Sequence, residues 1–381
     1  MFNLGETCMK KSLIALAVLA AAGTASAQSS VTLFGVVDAA LEHISNSGAA
    51  SGTRMTQGGN TRSNFGLRGT EDLGGGMAAS FWLESSVSVD DGTGSATNVN
   101  NQGITTATTG AVTSAAGGSS GLVFDARSTV SLSGGWGELR LGRDYSPSFR
   151  SISAFDPFGT RGVGTNQILN SNGGSVAMLA NGFTNVRASN SIGYFLPTMG
   201  GVYGELKYWL GENQSTATNA AGADISKDGR GGGLRVGYAS GPFNIAGAWD
   251  RTKYATGNYT EANIGGSWDF GMAKVMAIVE RDKSGSTTGK GWEIGTIVPV
   301  GAGDIKASYG RYRTDVTAAD PTAKKIALGY VHNLSKRTAL YVTYARVKNS
   351  GGSTMPVQTG FGNPTANSSS TGYDLGLKHS F

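Results

Sequence analysis

Through most of its length the chain alternates apolar and polar residues with a period of two. In the first such segment Val31, Leu33, Val37, Ala39 and Leu41 fall on one face, and Asp38 and Glu42 on the other. Phe81 and Leu83 oppose Glu84 and Ser86, Val130 and Leu132 oppose Arg127 and Thr129, and Val275, Ala277 and Val279 oppose Lys274 and Glu280. A period of two predicts strands whose faces meet different surroundings. Short turns fall near Asp72-Leu73-Gly74, Gly134-Gly135, Pro197 to Gly200, Ser240-Gly241-Pro242, Phe270-Gly271, Gly301 to Gly303 and Asn333 to Lys336. Longer polar loops fall near 44–61, 90–121, 144–185, 212–230, 252–258, 283–290, 314–322 and 349–370. Seven turns alternating with eight loops predict sixteen strands.

One stretch breaks the pattern. The strand Leu139-Arg140-Leu141-Gly142-Arg143 runs into a long connection, and alternation resumes only near Val186. A connection this long is uncommon and is functional or disordered. Tyr145, Phe149, Phe155 and Phe158, with Pro147 and Pro157, make it too apolar for a solvated linker. These rings need a surface to bury against, so the loop is expected to fold back inside a barrel and narrow it rather than lie outside as a surface loop.

Residues 1–27 read as a cleaved signal peptide: Lys10-Lys11, an apolar run from Leu13 to Ala22, and the small-residue site Ala25-Ser26-Ala27. The expected mature chain starts at Gln28, so the cut lies between Ala27 and Gln28, and residues 28–381 form one domain. The single cysteine, Cys8, lies in the discarded part, leaving an exported chain without disulfides. Removing Lys10, Lys11 and Glu6 turns 31 basic and 26 acidic residues into 29 and 25, net +4. That balance gives no case for nucleic acid. Glycine is frequent, at 60 residues, without a triplet repeat, and charged residues are only 15%. No apolar run after the signal approaches the ~18 residues of a spanning helix.

Export, low charge and short strands with alternating short and long connections describe a barrel in the bacterial outer membrane. In lipid every backbone N–H and C=O needs an internal partner, so a spanning sheet must close on itself. A secreted β-sandwich would not require loops to alternate in length. Trp136, Trp209, Trp249, Trp268, Trp292 and Tyr341, near strand ends, are expected in the interfacial girdles.

In the last strand Tyr373, Leu375, Leu377, His379 and Phe381 share a face, and the sequence stops on Phe381. With Val31-Thr32-Leu33-Phe34-Gly35-Val36-Val37-Asp38, Asn64-Phe65-Gly66-Leu67-Arg68-Gly69-Thr70-Glu71-Asp72-Leu73-Gly74 and Leu141-Gly142-Arg143-Asp144-Tyr145, the chain resembles the general porins of Burkholderia, Bordetella and their relatives. The resemblance covers the whole mature chain. It implies an all-β, sixteen-stranded antiparallel transmembrane barrel with its long third loop folded into the lumen. It also implies a homotrimer, with outer-membrane lipid and lipopolysaccharide around it and small ionic solutes passing through it. Phe381 would serve as the assembly signal, and the 90–121 loop would latch onto a neighbouring subunit.

Arg68, Arg127 and Arg187 have apolar neighbours on the opposite strand face, and an arginine facing lipid at mid-membrane costs ~2–4 kcal/mol. They are therefore expected to point inward. The resemblance matches Arg127 and Arg187 to the basic wall of the constriction and Arg68 to a position close by. Arg143 at the loop's root is expected to join them. Asp156 matches the family's acidic position on the loop, with Glu84 as a second acidic candidate. The segment from Asp144 to Arg161 has two acids and two arginines, net zero, so an arginine-rich wall would leave a positive eyelet that prefers anions.

Catalysis has no foothold in the sequence. His43, His332 and His379 lack metal-ligand spacing. Gly285-Ser286-Thr287-Thr288-Gly289-Lys290-Gly291 is one residue short of a phosphate loop and lacks its hydroxyl. No enzyme activity, cofactor or metal is expected. A different class of function, an adhesin or structural barrel whose loops bind a partner, would rest on the 90–121 loop.

Overall fold

A computed structural model describes residues 30–95, 101, 123–166, 186–219, 222–316 and 319–381. The proposed signal peptide with Ala27 and Gln28, most of the 90–121 loop and residues 167–185 lie outside them.

The strands are β1 (Ser30–Asn46), β2 (Gly52–Gln57), β3 (Asn64–Gly74), β4 (Met77–Ser86), β5 (Arg127–Gly134), β6 (Gly137–Tyr145), β7 (Arg187–Phe195), β8 (Val202–Trp209) and β9 (Gly231–Ser240). They continue as β10 (Phe243–Thr252), β11 (Tyr259–Asp269), β12 (Lys274–Ser284), β13 (Thr287–Val300), β14 (Gly303–Thr314), β15 (Thr322–Asn333), β16 (Thr338–Ser350) and β17 (Ser369–Ser380). β2 and β3 both pair with β1, along its upper and lower halves, and so form one interrupted stave. With that correction the seventeen strands make sixteen staves. Each pairs antiparallel with its neighbour, and β1 pairs with β17 to close the ring.

The last residue extends the pairing of β17 with β1. Phe381 exchanges backbone hydrogen bonds with Gly35 in both directions, at 3.2 and 3.0 Å. Its ring lies so close to Gly35 that a β-carbon there would sit 2.4 Å from it.

The two faces of the wall are inverted relative to a water-soluble protein. Leu375 is 58% exposed and Leu328 56%, whereas Asp38, Glu42, Asp374 and Asp282 are buried. Large apolar faces turned outward around a closed sheet suit lipid, not water. Trp136, Trp249, Trp268 and Trp292 are on that outer face, as expected for girdles. Trp209 and Tyr341 are not, being 0% and 3% exposed. Each shares the parity of inward residues: Trp209 follows Glu205 and Lys207, and the Tyr341 hydroxyl donates to Asp38. Position near a strand end suggested a girdle, but side-chain parity decided otherwise.

All seven predicted short turns occur. The predicted 283–290 loop is instead a tight hairpin, with only two residues between β12 and β13 and Gly285 at φ 56°. The long connection after β6 also contains an unanticipated helix, α1 (Pro147–Ala154). Its signals were present in the sequence. Ser146 caps it by accepting from Phe149 N, Pro147 occupies the first turn, and Phe149 and Ile152 are one turn apart.

Candidate functional site

α1 and the residues after it pack across the polar face of the far wall. Ile152 and Phe155 join Ala246, Ile278 and Tyr312 in one cluster, and Phe158 and Val163 join Ile44, Ala327, Ala345 and Val357 in another. Ser148 N donates to Asp250 Oδ2 at 3.0 Å, Asn263 Nδ2 to Ser148 O at 3.2 Å, and Val163 N to Asp374 Oδ2 at 2.8 Å. Glycines admit this approach: a β-carbon at Gly265 would strike Phe155, and one at Gly295 would strike Pro157. The loop is thus fixed to strands from β10 to β17 and to the upper half of β1, across from the staves that carry the predicted arginines.

On the near side lies a cavity of about 360 Å³ lined by Arg62, Arg143, Arg161, Arg187, Asp125 and Ser86, among others. It holds four guanidiniums against one carboxylate. Asp125 is buried and committed: it pairs with Arg62 at 2.7 Å and accepts from Ser86 N and Oγ, both at 2.6 Å. Arg143 donates to the Asp125 carbonyl at 2.6 Å and to Ser189 Oγ at 2.7 Å. Arg187 donates to the Ala126 carbonyl at 2.9 Å, and its guanidinium lies 4.8 Å from the Tyr145 ring centre. Among the described residues neither Arg161 nor Arg187 has a carboxylate within ion-pair distance.

Local backbone devices aim these arginines. Strict alternation would send Arg143 outward with Leu139 and Leu141. A bulge at Gly142–Asp144 resets the phase, and Gly142, at φ 118°, has a neighbouring Ser128 carbonyl where a β-carbon would stand. Arg62 lies in the break between β2 and β3. Asp38 holds that break by accepting from Asn60 N at 3.1 Å and Thr61 N at 2.6 Å.

Two expected wall residues stand apart from this cavity. Arg68 is opposite Thr32 and Trp82, nearer the short-turn end, with its guanidinium 5.2 Å from the Phe34 ring centre and 5.1 Å from that of Trp82. Arg127 stacks on Trp82 at 4.5 Å. The result is a column of alternating rings and guanidiniums on the inner face, below the cavity. Arg62 and Arg161, which take their place in the cavity, were not singled out from sequence. Arg62 could have been, since it shares the parity of Arg68.

The acidic candidates also sit differently from expectation. Asp156 is buried, and its carboxylate accepts from Phe158 N at 2.7 Å, Thr160 N at 3.0 Å and Asn166 N at 3.1 Å. It is enclosed by its own loop and turned away from the arginine cavity, because three backbone donors in a tight turn need one acceptor. Glu84 lies on the arginine wall itself, opposite Arg127, and accepts from Asn64 Nδ2 at 2.7 Å and Trp82 Nε1 at 2.9 Å. The predicted loop aromatics are buried (Phe149, Phe155, Phe158) or, for Tyr145, partly so, with its ring 4.9 Å from Phe149.

Beside the cavity, Arg140, Arg150 and Lys207 are matched by Glu138, Asp144 and Glu205. Asp144 Oδ2 takes Arg140 at 2.5 Å, Arg150 at 3.1 Å and Lys207 at 3.9 Å, while Arg150 also reaches Glu205 at 2.9 Å. Of the two acids and two arginines of the loop, only Asp144 and Arg150 therefore pair with one another. Both acids and Arg150 are used internally, and Arg161 faces the cavity.

Comparison with known proteins agrees with this architecture. A profile of the Gram-negative porin family matches residues 13–352. Outer membrane porin protein 32 of Delftia acidovorans is 39% identical over 388 residues, covering 98% of this chain and 100% of the relative. An outer membrane porin of Bordetella pertussis is 26% identical, covering 90% and 95%. Among solved structures, the anion-selective porin from Comamonas acidovorans superposes with a TM-score of 0.76 at 34% identity, over 93% of this chain and all of that one. A trimer form of OmpT from Vibrio cholerae shares the fold, with a TM-score of 0.61 at 12% identity over 93% and 99%.

Proposed function

The chain belongs to the Gram-negative porin family, and from that premise we propose that its loop-narrowed lumen is an anion-preferring diffusion pore. It is an outer-membrane porin, so its work is passive passage of ions and small hydrophilic solutes. The observation that carries the anion preference is the cavity between loop and wall, where Arg62, Arg143, Arg161 and Arg187 meet the single, already paired carboxylate of Asp125. A narrow, low-dielectric rim screens such a surplus poorly, so anions are enriched and cations repelled. The name of the 34%-identical anion-selective relative supports the same sign. Arg127 and Arg68 extend the basic lining toward the short-turn end, the periplasmic end in such barrels.

The active form in this reading is a homotrimer, released from a precursor by cleavage between Ala27 and Gln28, with Phe381 read by the assembly machinery. Reversal potentials of the purified protein in a planar bilayer across a potassium chloride gradient test the pore reading. Chloride preference at low salt is expected, and cation preference would overturn it. N-terminal sequencing and native mass of the extracted protein test the cut and the trimer.

A further inference from the structure

The outer face of β12–β16 carries a second charged feature that solute passage does not use. At the long-loop end, Arg281, Lys283, Lys290, Arg311, Arg313, Lys324, Arg346 and Lys348 all share the parity of lipid-facing residues. Register brings them side by side across strands. Arg281 faces Lys290, Lys290 faces Arg313, Arg311 faces Lys324, and Lys324 faces Lys348. Like charges directly opposite on neighbouring strands repel. Among the described residues the only ion pair in this row joins Arg313 to the loop residue Asp320, at 2.9 Å.

Immediately below, on the same face, the surface turns apolar. Val279 faces Trp292, Ile294 faces Tyr309, Tyr309 faces Ile326, and Leu328 faces Tyr344. An external groove of about 560 Å³ straddles the boundary, with Lys324, Arg346, Lys348 and Ser368 above and Tyr309 and Ile326 beneath. An occupant must therefore be anionic at the height of the membrane surface and hydrocarbon just below it. A soluble anion would satisfy only the upper half.

We infer that this row is a binding site for the phosphorylated headgroup of an outer-leaflet lipid, whose acyl chains lie on the Tyr309–Ile326 surface. The inference rests on the outer-membrane porin reading, with the long loops facing outward, and gives its lipid partner a location. Phosphate oxygens bridging Lys324, Arg346 and Lys348 would turn mutual repulsion into shared attraction.

The test uses the full-length mature protein in detergent, with native mass spectrometry counting a bisphosphorylated glycolipid. Lys324→Gln, Arg346→Gln and Lys348→Gln together should lower bound glycolipid at least tenfold, on the order expected for loss of three charge contacts near a membrane surface. The same glycolipid stripped of phosphate should bind the wild type no better than it binds the variant. Lys324→Arg with Lys348→Arg should retain binding, and Lys336→Gln with Arg337→Gln at the opposite rim should not matter. Unchanged binding in the triple variant, or equal binding of the dephosphorylated lipid, would overturn the proposal. Full displacement by inorganic phosphate at the same concentration would overturn its lipid half. Thermal dissociation gives a second measure. Without glycolipid the triple variant should be at least as heat-stable as the wild type, and with glycolipid it should be less so. Identical response to glycolipid in both would count against the site. Bilayer conductance of the triple variant reports on the pore alone, so a failed lipid site and a failed pore reading remain distinguishable.

Discussion

Arg150 and Arg161 come from one loop and end in opposite electrostatic states. Arg150 is held between Asp144 and Glu205, whereas Arg161 lines the cavity beside Arg62 and Arg187. Substituting Arg161→Gln with Arg187→Gln should therefore shift reversal potentials strongly toward cations, while Arg150→Gln should instead perturb the fold around Asp144. If the double variant keeps the wild-type permeability ratio, those two side chains do not line the conducting path. Asp156 makes the converse case. Replacing it with Ala leaves three buried backbone donors without their acceptor, at a cost of about 1–3 kcal/mol for each donor left bare. The expected outcome is a noisier open-channel current with selectivity little changed. A quiet channel whose anion preference rises would show that Asp156 acts as a pore charge after all.

At the scale of the element, the wall near the cavity depends on two departures from regular strand. The Gly142 bulge turns Arg143 inward, and the Asp38-supported break between β2 and β3 presents Arg62. Gly142→Val adds a branched side chain where the Ser128 carbonyl leaves no room and the backbone is at φ 118°. Reduced yield of heat-resistant protein is expected, and full yield with unaltered conductance would show that the bulge is dispensable. The terminal stave has its own test. Deleting Phe381 removes both hydrogen bonds to Gly35 and the ring seated on it. Insertion should fall sharply in an outer-membrane fractionation assay, and normal insertion would mean that closure of β1 on β17 suffices.

For the whole molecule, the sign of selectivity is a sum over the inner surface, and that sum depends on screening. The Debye length falls from ~10 Å at 0.1 M salt to ~3 Å at 1 M. Chloride preference should therefore weaken steadily across that range as the cavity's surplus of guanidiniums is screened. A ratio independent of salt would point to selection by size instead of charge. The trimer expectation belongs to this scale too: Val37, Leu41, Leu375 and Leu377 form an outward apolar strip where the first and last staves meet. Charged substitutions there should yield smaller species by native mass, and an unchanged assembly would locate the subunit contact elsewhere on the wall.

The number of staves, the face each presents and the ends that carry short turns were legible in the chain itself. A period of two is a local property, and lipid outside with solute inside leaves it unbroken in strand after strand. The inward direction of Arg68, Arg127 and Arg187 followed from the same rule. Their mutual heights did not, because six residues along a strand amount to ~20 Å and sequence sets no common zero between distant strands. Register put Arg68 on the Trp82 column and brought Arg62 level with Arg143 and Arg187. Charge counting failed for the loop in a related way. Asp144 and Asp156 equalled Arg150 and Arg161 in the sequence, but which charges cancel depends on what each one touches. Only the folded loop, anchored through Asp250 and Asp374 on the far wall, leaves Arg161 facing the cavity, since an electrostatic field is fixed by distances in space and not by totals along a chain.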